Sequence, residues 1–112
     1  MPDAMPSLLS VLVLEDSLAD FDLIEYELKK SGFSAQCRRV DTEAEYLVQL
    51  EAKPDIILAD YRMAGFTALR ALELLQGLGL VIPLIVLTGA VSEDTVVECM
   101  KKGAADYLLK DR

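Results

Sequence analysis

Short apolar runs rich in β-branched residues alternate with amphipathic stretches along the chain, and this alternation constrains the fold most strongly. Three of these runs, at residues 10–15, 55–59 and 82–87, are almost continuously apolar, which is typical of strands buried on both faces of a sheet. Two weaker runs, at residues 35–40 and 105–109, are shorter or carry charge. The arginines in the run at 35–40 suit a strand at the edge of a sheet.

Four helices are predicted between these strands, because capping residues and apolar stripes occur together there. Ser17 can cap a first helix, and Thr42 with Glu45 forms a capping box for a second. A third helix presents leucines at helical spacing on one face, and Ser92 can cap a fourth. The sequence therefore predicts strands and helices that alternate strictly along the chain.

This alternation predicts an α/β fold with a five-stranded parallel sheet, because parallel strands need crossover connections. Right-handed crossovers that cover both faces give a doubly wound sheet, most simply in the flavodoxin-like order 2-1-3-4-5. The 112 residues suit one domain, which we place at 10–112 after an N-terminal extension at 1–9. In such a sheet the ligand site lies beyond the carboxyl ends of the strands, beside the point where the strand order reverses.

Polar side chains follow the carboxyl ends of four predicted strands. They are Glu15 and Asp16 after the first strand, Asp60 after the third, Thr88 after the fourth and Lys110 after the fifth. Each alone has an ordinary explanation as a turn former or a solvated charge. Together they place three carboxylates, a hydroxyl and an ammonium around one crevice. We expect the strand ends that carry Thr88 and Lys110 to be exposed. Carboxylates held so close repel one another, which predicts that a cation binds among them.

The residue types at this crevice suit phosphoryl transfer. Oxygen ligands without histidine or cysteine favour Mg²⁺, and the sequence contains no histidine that could serve as a base, a metal ligand or a phosphohistidine carrier. A carboxylate such as Asp60, held between a metal ion and a lysine, can attack phosphorus and form an acyl phosphate. Lys110 offers a point charge and Thr88 a hydroxyl donor for the phosphoryl oxygens.

The chain resembles the response-regulator receiver family of two-component signalling from about residue 10 to its end. Four motifs carry the resemblance: ED at 15–16, DYRMAGF at 60–66, TG at 88–89 and DYLLKD at 106–111. The resemblance implies that Asp60 is phosphorylated in a reaction that depends on Mg²⁺, or on Mn²⁺ in its place. The metal ligands that it implies are Glu15, Asp16, Asp60 and the backbone carbonyl of Arg62.

The same resemblance implies a switch and a set of partners. Thr88 and Lys110 would contact the phosphoryl group, and Thr88 with Tyr107 would form the switch, although Tyr107 fits a half-buried ring equally well. The phosphodonor would be a phosphohistidine of a sensor histidine kinase or of a phosphotransfer protein, and the downstream effector module is unknown. The chain is then a phosphoacceptor rather than an enzyme, and it is expected to hydrolyse its own aspartyl phosphate.

Several positions depart from the commonest pattern of that family. Glu15 stands where aspartate is frequent, Ala64 replaces a proline in the loop after the phosphoacceptor, and Asp111 follows the lysine where proline is usual. The chain also stops at Arg112, before the family's fifth helix. We therefore expect an uncovered apolar sheet face beside the first helix, through which a homodimer could form.

The charge balance and the absence of targeting signals limit the remaining partners. Eleven basic and nineteen acidic residues give a net charge of −8, which disfavours direct binding to nucleic acid or to a membrane. The sequence shows no signal peptide and no long apolar segment, so we expect a cytoplasmic location. Cys37 and Cys99 lack the spacing of metal ligands and are interpreted as reduced thiols.

Three rival functions fit the sequence less well. A phosphatase of the haloacid-dehalogenase type needs a second acid two residues after its aspartate nucleophile, where this chain has Arg62. In a flavodoxin-like electron carrier, the acidic segment 15–20 would repel the flavin phosphate. P-loop chemistry is excluded because no P-loop motif is present. The alternative left open is a receiver-like interaction domain that is never phosphorylated.

Overall fold

Strands and helices alternate without exception in the computed structural model, which describes residues 8–89 and 93–109. In chain order the elements are β1 (Leu9–Leu14), α1 (Leu18–Lys30), β2 (Ala35–Val40), α2 (Glu43–Leu50), β3 (Ile56–Asp60), α3 (Ala68–Gly77), β4 (Leu84–Thr88), α4 (Glu93–Lys101) and β5 (Asp106–Leu109). The predicted alternation is confirmed. The fourth strand begins at Leu84 rather than at residue 82, because Pro83 has no N–H to donate to a neighbouring strand.

The five strands form one parallel sheet in the order β2-β1-β3-β4-β5. This is the doubly wound, flavodoxin-like order that the sequence predicts. As expected, β2 lies at an edge. The order reverses between β1 and β3, so the carboxyl ends of these two strands flank the point where ligands bind in sheets of this kind.

The larger part of the core lies between the sheet and the helices α2, α3 and α4. Its strand residues include Leu12, Leu14, Ile57, Ala59, Leu84 and Val86. Tyr46 of α2 is fully buried here, packs its ring against Phe66 with centroids 5.2 Å apart, and donates its hydroxyl to the Ala71 carbonyl at 3.0 Å. Both cysteines are free, as predicted, with Cys99 buried in this core and Cys37 half-buried.

The opposite face of the sheet is covered more thinly. Its buried residues are Val11, Val13, Leu58 and Leu87, and α1 packs on them through Phe21, Ile24 and Leu28. Pairing of Leu108 with Leu87 places Leu108 on this same face, where its side chain is 50% exposed. Leu109 on the opposite face is 62% exposed, so exposure at β5 is not confined to the face beside α1, and both the uncovered apolar face and the homodimer through it stay predictions.

None of the helices in the described part of the chain is long and apolar enough to cross a membrane.

Replacing Tyr46 with phenylalanine should lower the free energy of unfolding by about 1 kcal/mol, because the buried hydrogen bond to Ala71 is lost. Burial raises the pKa of Tyr46 well above its ordinary value, so the hydroxyl stays a donor across the usable pH range. Urea unfolding followed by circular dichroism measures the change. Tyr26→Phe on the exposed side of α1 is the control and should have almost no effect. Equal effects of the two substitutions would contradict the assignment.

Candidate functional site

The end of β1 brings two acidic residues to the switch point of the sheet. The Glu15 N–H donates to the Val40 carbonyl at 3.1 Å, which continues the pairing with β2 for one more residue. The Glu15 side chain is only 1% exposed, and its Oε2 accepts the Ser17 N–H at 3.1 Å. Asp16 is exposed, and the chain then enters α1, whose N-cap is Ser17 as predicted. The buried Glu15 carboxylate is thus fixed by the start of α1.

Asp60 is the last residue of β3, and its carboxylate is buried. Its Oδ1 accepts the Arg62 N–H at 3.1 Å, which fixes the first turn of the loop that follows. Met63 and Phe66 are buried on either side of Ala64, so apolar anchors hold this loop where the sequence has no proline. Whether the Arg62 carbonyl is a metal ligand stays a prediction.

Three carboxylates come together at the switch point of the sheet, those of Glu15, Asp16 and Asp60. Each offers one carboxylate oxygen, and the three oxygens lie within 4.8 Å of one another. At about 5 Å and an effective dielectric of 20, two such charges repel by roughly 3 kcal/mol, and by less where one of them is exposed. An all-oxygen set of this kind fits Mg²⁺ or Mn²⁺, which pair readily with carboxylates. The three carboxylates grouped from sequence therefore share one site able to hold a divalent cation.

Thr88 ends β4, one residue beyond the partner of Asp60 in the sheet. We expected an exposed strand end, and that expectation is wrong: Thr88 is 1% exposed, because β4 is an inner strand between β3 and β5. Among the described residues its Oγ1 has no hydrogen-bond partner. A buried hydroxyl without a partner costs about 1–3 kcal/mol, so Thr88 has a free donor for a water molecule or a ligand.

The structure tests the two remaining predicted residues only in part. Lys110 lies outside the described residues, so its contact with a phosphoryl group stays a prediction. The residue before it, Leu109, pairs with Thr88, which brings the end of β5 beside β4. Tyr107 pairs with Val86 and its side chain is 37% exposed. This partial burial fits both a switch residue and a half-buried ring without a special role, so the role of Tyr107 in a switch stays a prediction.

Sequence reasoning missed the contact that Arg39 makes with this site. Its Nη1 donates to the backbone carbonyl of Glu15 at 3.1 Å and lies 3.5 Å from Oδ2 of Asp41. From the sequence, Arg39 and Arg38 indicated only an edge strand. Alternation along β2 does separate the two arginines onto opposite faces, but no pattern in the sequence identifies the carbonyl that Arg39 reaches.

Comparison with known proteins places nearly the whole chain in one family. The family model described as the response regulator receiver domain matches residues 11–112. The transcriptional regulatory protein ZraR of Escherichia coli is 29% identical over 102 residues, which are 91% of this chain and 23% of ZraR. The chain therefore spans about a quarter of the length of the curated relatives that it matches first.

Solved structures agree with this result. The signal receiver domain of NarL from Mycobacterium tuberculosis superposes with a TM-score of 0.82 at 26% identity, covering 96% of this chain and 87% of that one. The signal receiver domain of a signal transduction histidine kinase from Syntrophus aciditrophicus gives a TM-score of 0.75 at 27% identity, covering 92% of this chain and 79% of that one.

Proposed function

This chain belongs to the response regulator receiver domain family, and we propose that Asp60 is the residue on which it accepts a phosphoryl group. The observation that carries the proposal is the convergence of Glu15, Asp16 and Asp60 at the switch point of the sheet. A nucleophile for phosphorus must approach an anionic donor, and three carboxylates alone would repel it. The site therefore needs a divalent cation, for which the three oxygens are suited.

The proposed metal ligands are Glu15, Asp16, Asp60 and the Arg62 carbonyl, and the metal is Mg²⁺ or Mn²⁺. When bound, the ion neutralises charge on the carboxylates and on the incoming phosphoryl group. The hydrogen bond from the Arg62 N–H orients the Asp60 carboxylate before any donor arrives. Burial of Glu15 keeps one ligand away from competing water. These contacts prepare the nucleophile without a separate general base.

The proposed reaction transfers one phosphoryl group. An oxygen of Asp60 forms a bond to phosphorus while the P–N bond of a phosphohistidine breaks; the departing imidazole nitrogen takes the electron pair, and solvent supplies the proton that leaves the imidazole neutral. The Thr88 hydroxyl, which has no partner among the described residues, donates to a phosphoryl oxygen of the product. Lys110 supplies a positive charge to the same group, and Tyr107 responds to the change at Thr88.

The partners follow from this chemistry. The donor is a sensor histidine kinase or a phosphotransfer protein, and the receiver passes its state to an effector that the chain itself does not identify. ZraR is named as a transcriptional regulatory protein, and the Syntrophus receiver belongs to a histidine kinase. Receiver domains therefore occur in relatives of different kinds. We propose a cytoplasmic location, and slow hydrolysis of the aspartyl phosphate by the receiver itself.

Phosphorylation by a small donor tests this function directly. The protein is incubated with acetyl phosphate and Mg²⁺, and intact mass spectrometry follows the addition of one phosphoryl group. We expect the added mass to be lost in hydroxylamine, which cleaves acyl phosphates, and never to appear when the metal is chelated. A chain that gains no mass with Mg²⁺ would instead be the interaction domain that is never phosphorylated.

Thr88→Val should separate signalling from stability, because valine keeps the shape of threonine and removes its hydroxyl. The metal-free protein should be as stable as the wild type or more stable by about 1 kcal/mol, since the lost hydroxyl has no partner among the described residues. The change in tyrosine fluorescence on addition of beryllofluoride with Mg²⁺ should be strongly reduced. Thr88→Ser, which keeps the hydroxyl, is the matched control. An intact fluorescence change in Thr88→Val would make Thr88 a structural residue only.

A further inference from the structure

We infer that Arg39 is a positioning residue for the metal site, because it holds the peptide that joins Glu15 to Asp16. The inference rests on the proposed binding of Mg²⁺ by these two residues, and it adds a residue from the edge strand β2. Arg39 itself would touch neither the metal ion nor the phosphoryl group. Its proposed effect is on the orientation of the ligands.

The geometry starts from the backbone on both sides of Glu15. On one side, the Glu15 N–H donates to the Val40 carbonyl at 3.1 Å. On the other side, the Glu15 carbonyl accepts from Nη1 of Arg39, also at 3.1 Å. That carbonyl belongs to the peptide group whose N–H is carried by Asp16. The two bonds to β2 therefore fix the backbone from which both acidic side chains project.

Asp16 depends on this support more than Glu15 does. The Glu15 side chain is buried and its carboxylate accepts the Ser17 N–H, so it has contacts of its own. Asp16 is exposed, so we infer that its direction is set mainly by the peptide group that precedes it. Partners of metal ligands typically change metal affinity when they are removed, because the ligand then loses its orientation.

If only charge mattered, Arg39 would be expected to weaken metal binding rather than to support it. A guanidinium near the site repels a divalent cation, so its removal would strengthen metal binding if only charge mattered. Asp41 lies 3.5 Å from the guanidinium and offsets that charge, with side chains only 29% and 39% exposed in the pair. The hydrogen bond is then the larger effect, and loss of Arg39 should weaken metal binding.

The neighbouring Arg38 provides a matched control. It carries the same charge on the same strand, but its Nη1 donates to Oε1 of Gln49 at 3.1 Å, on the opposite face of the sheet. Replacing either arginine with methionine changes the net charge equally. The two substitutions differ in whether the contact with Glu15 is lost.

The test is a calorimetric titration of Mg²⁺ into the full chain. Arg39→Met should weaken Mg²⁺ binding by about tenfold. Arg38→Met should change it by less than about twofold, because exposed charges at a distance are screened by salt. Arg39→Lys, which keeps the charge and one donor, should fall between Arg39→Met and the wild type. Thermal unfolding without metal shows that each variant is folded. If Arg39→Met does not fold, Arg39→Lys alone tests the contact, because it keeps the charge and changes only the hydrogen bond to the Glu15 carbonyl.

Two outcomes would overturn the inference. Equal effects of Arg38→Met and Arg39→Met would show that the contact with Glu15 is not what matters, and tighter binding by Arg39→Met would make Arg39 a repelling charge. Failure of the proposed function is recognised separately, since the wild type would then bind no Mg²⁺ or Asp16→Asn would bind it as tightly as the wild type. A normal Asp16→Asn defect with an unchanged Arg39→Met affinity would overturn the role of Arg39 alone.

Discussion

Replacing Asp60 with asparagine is expected to abolish phosphoryl incorporation from acetyl phosphate. The amide has the shape of the carboxylate and can still accept the Arg62 N–H, but it carries no charge and is a poor nucleophile for phosphorus. The fold should survive, because the substitution is isosteric and removes one of three crowded negative charges. The measurement is intact mass spectrometry with Mg²⁺ present, together with the midpoint of thermal unfolding.

Asp22→Asn is the control for this substitution. Asp22→Asn changes the net charge by the same amount as Asp60→Asn. Asp22 is exposed on α1 and takes no part in the carboxylate cluster. This variant should incorporate phosphate as the wild type does. Undiminished labelling of Asp60→Asn would move the phosphosite to another residue, and fragmentation of the labelled peptide would locate it.

The fold was predictable because its determinants are local and repeat along the chain. Uninterrupted apolar runs such as that of β3 can be buried only as inner strands, and caps such as Ser17 and Thr42 start the helices where the structure has them. The strand order then follows from handed crossovers. The boundary at Pro83 differed because strand pairing begins only after a residue that lacks an N–H.

The acidic site was predictable because parallel strands end at the same edge of a sheet. Glu15 and Asp60 are far apart in sequence, and the topology alone brings them together. The burial of Thr88 was not predicted, since it depends on β4 having a neighbour on both sides rather than on any residue near Thr88. The contact of Arg39 was not predicted either, because it depends on the direction of a long side chain at a strand end.

Asp16→Asn is expected to raise the stability of the metal-free protein and to weaken its binding of Mg²⁺. Without metal, the variant should be more stable than the wild type, by up to about 1 kcal/mol, because one of three neighbouring negative charges is gone and Asp16 is exposed. Its affinity for Mg²⁺ should fall by at least about tenfold, because a charged ligand is replaced by a neutral one. Calorimetry measures the affinity, and thermal unfolding measures the stability.

The two effects give a crossover in stability that a purely structural role for Asp16 does not predict. A ligand that binds only the folded state stabilises it by about 2.7 kcal/mol at a concentration one hundred times its Kd. At the same Mg²⁺ concentration a tenfold weaker site gains about 1.4 kcal/mol by the same relation. Mg²⁺ should therefore stabilise the wild type by about 1.3 kcal/mol more than Asp16→Asn, which exceeds the advantage of up to about 1 kcal/mol that the variant has without metal. If Mg²⁺ raised the unfolding midpoint of Asp16→Asn as much as that of the wild type, Asp16 would not be a metal ligand, and the cation would have to bind through other groups.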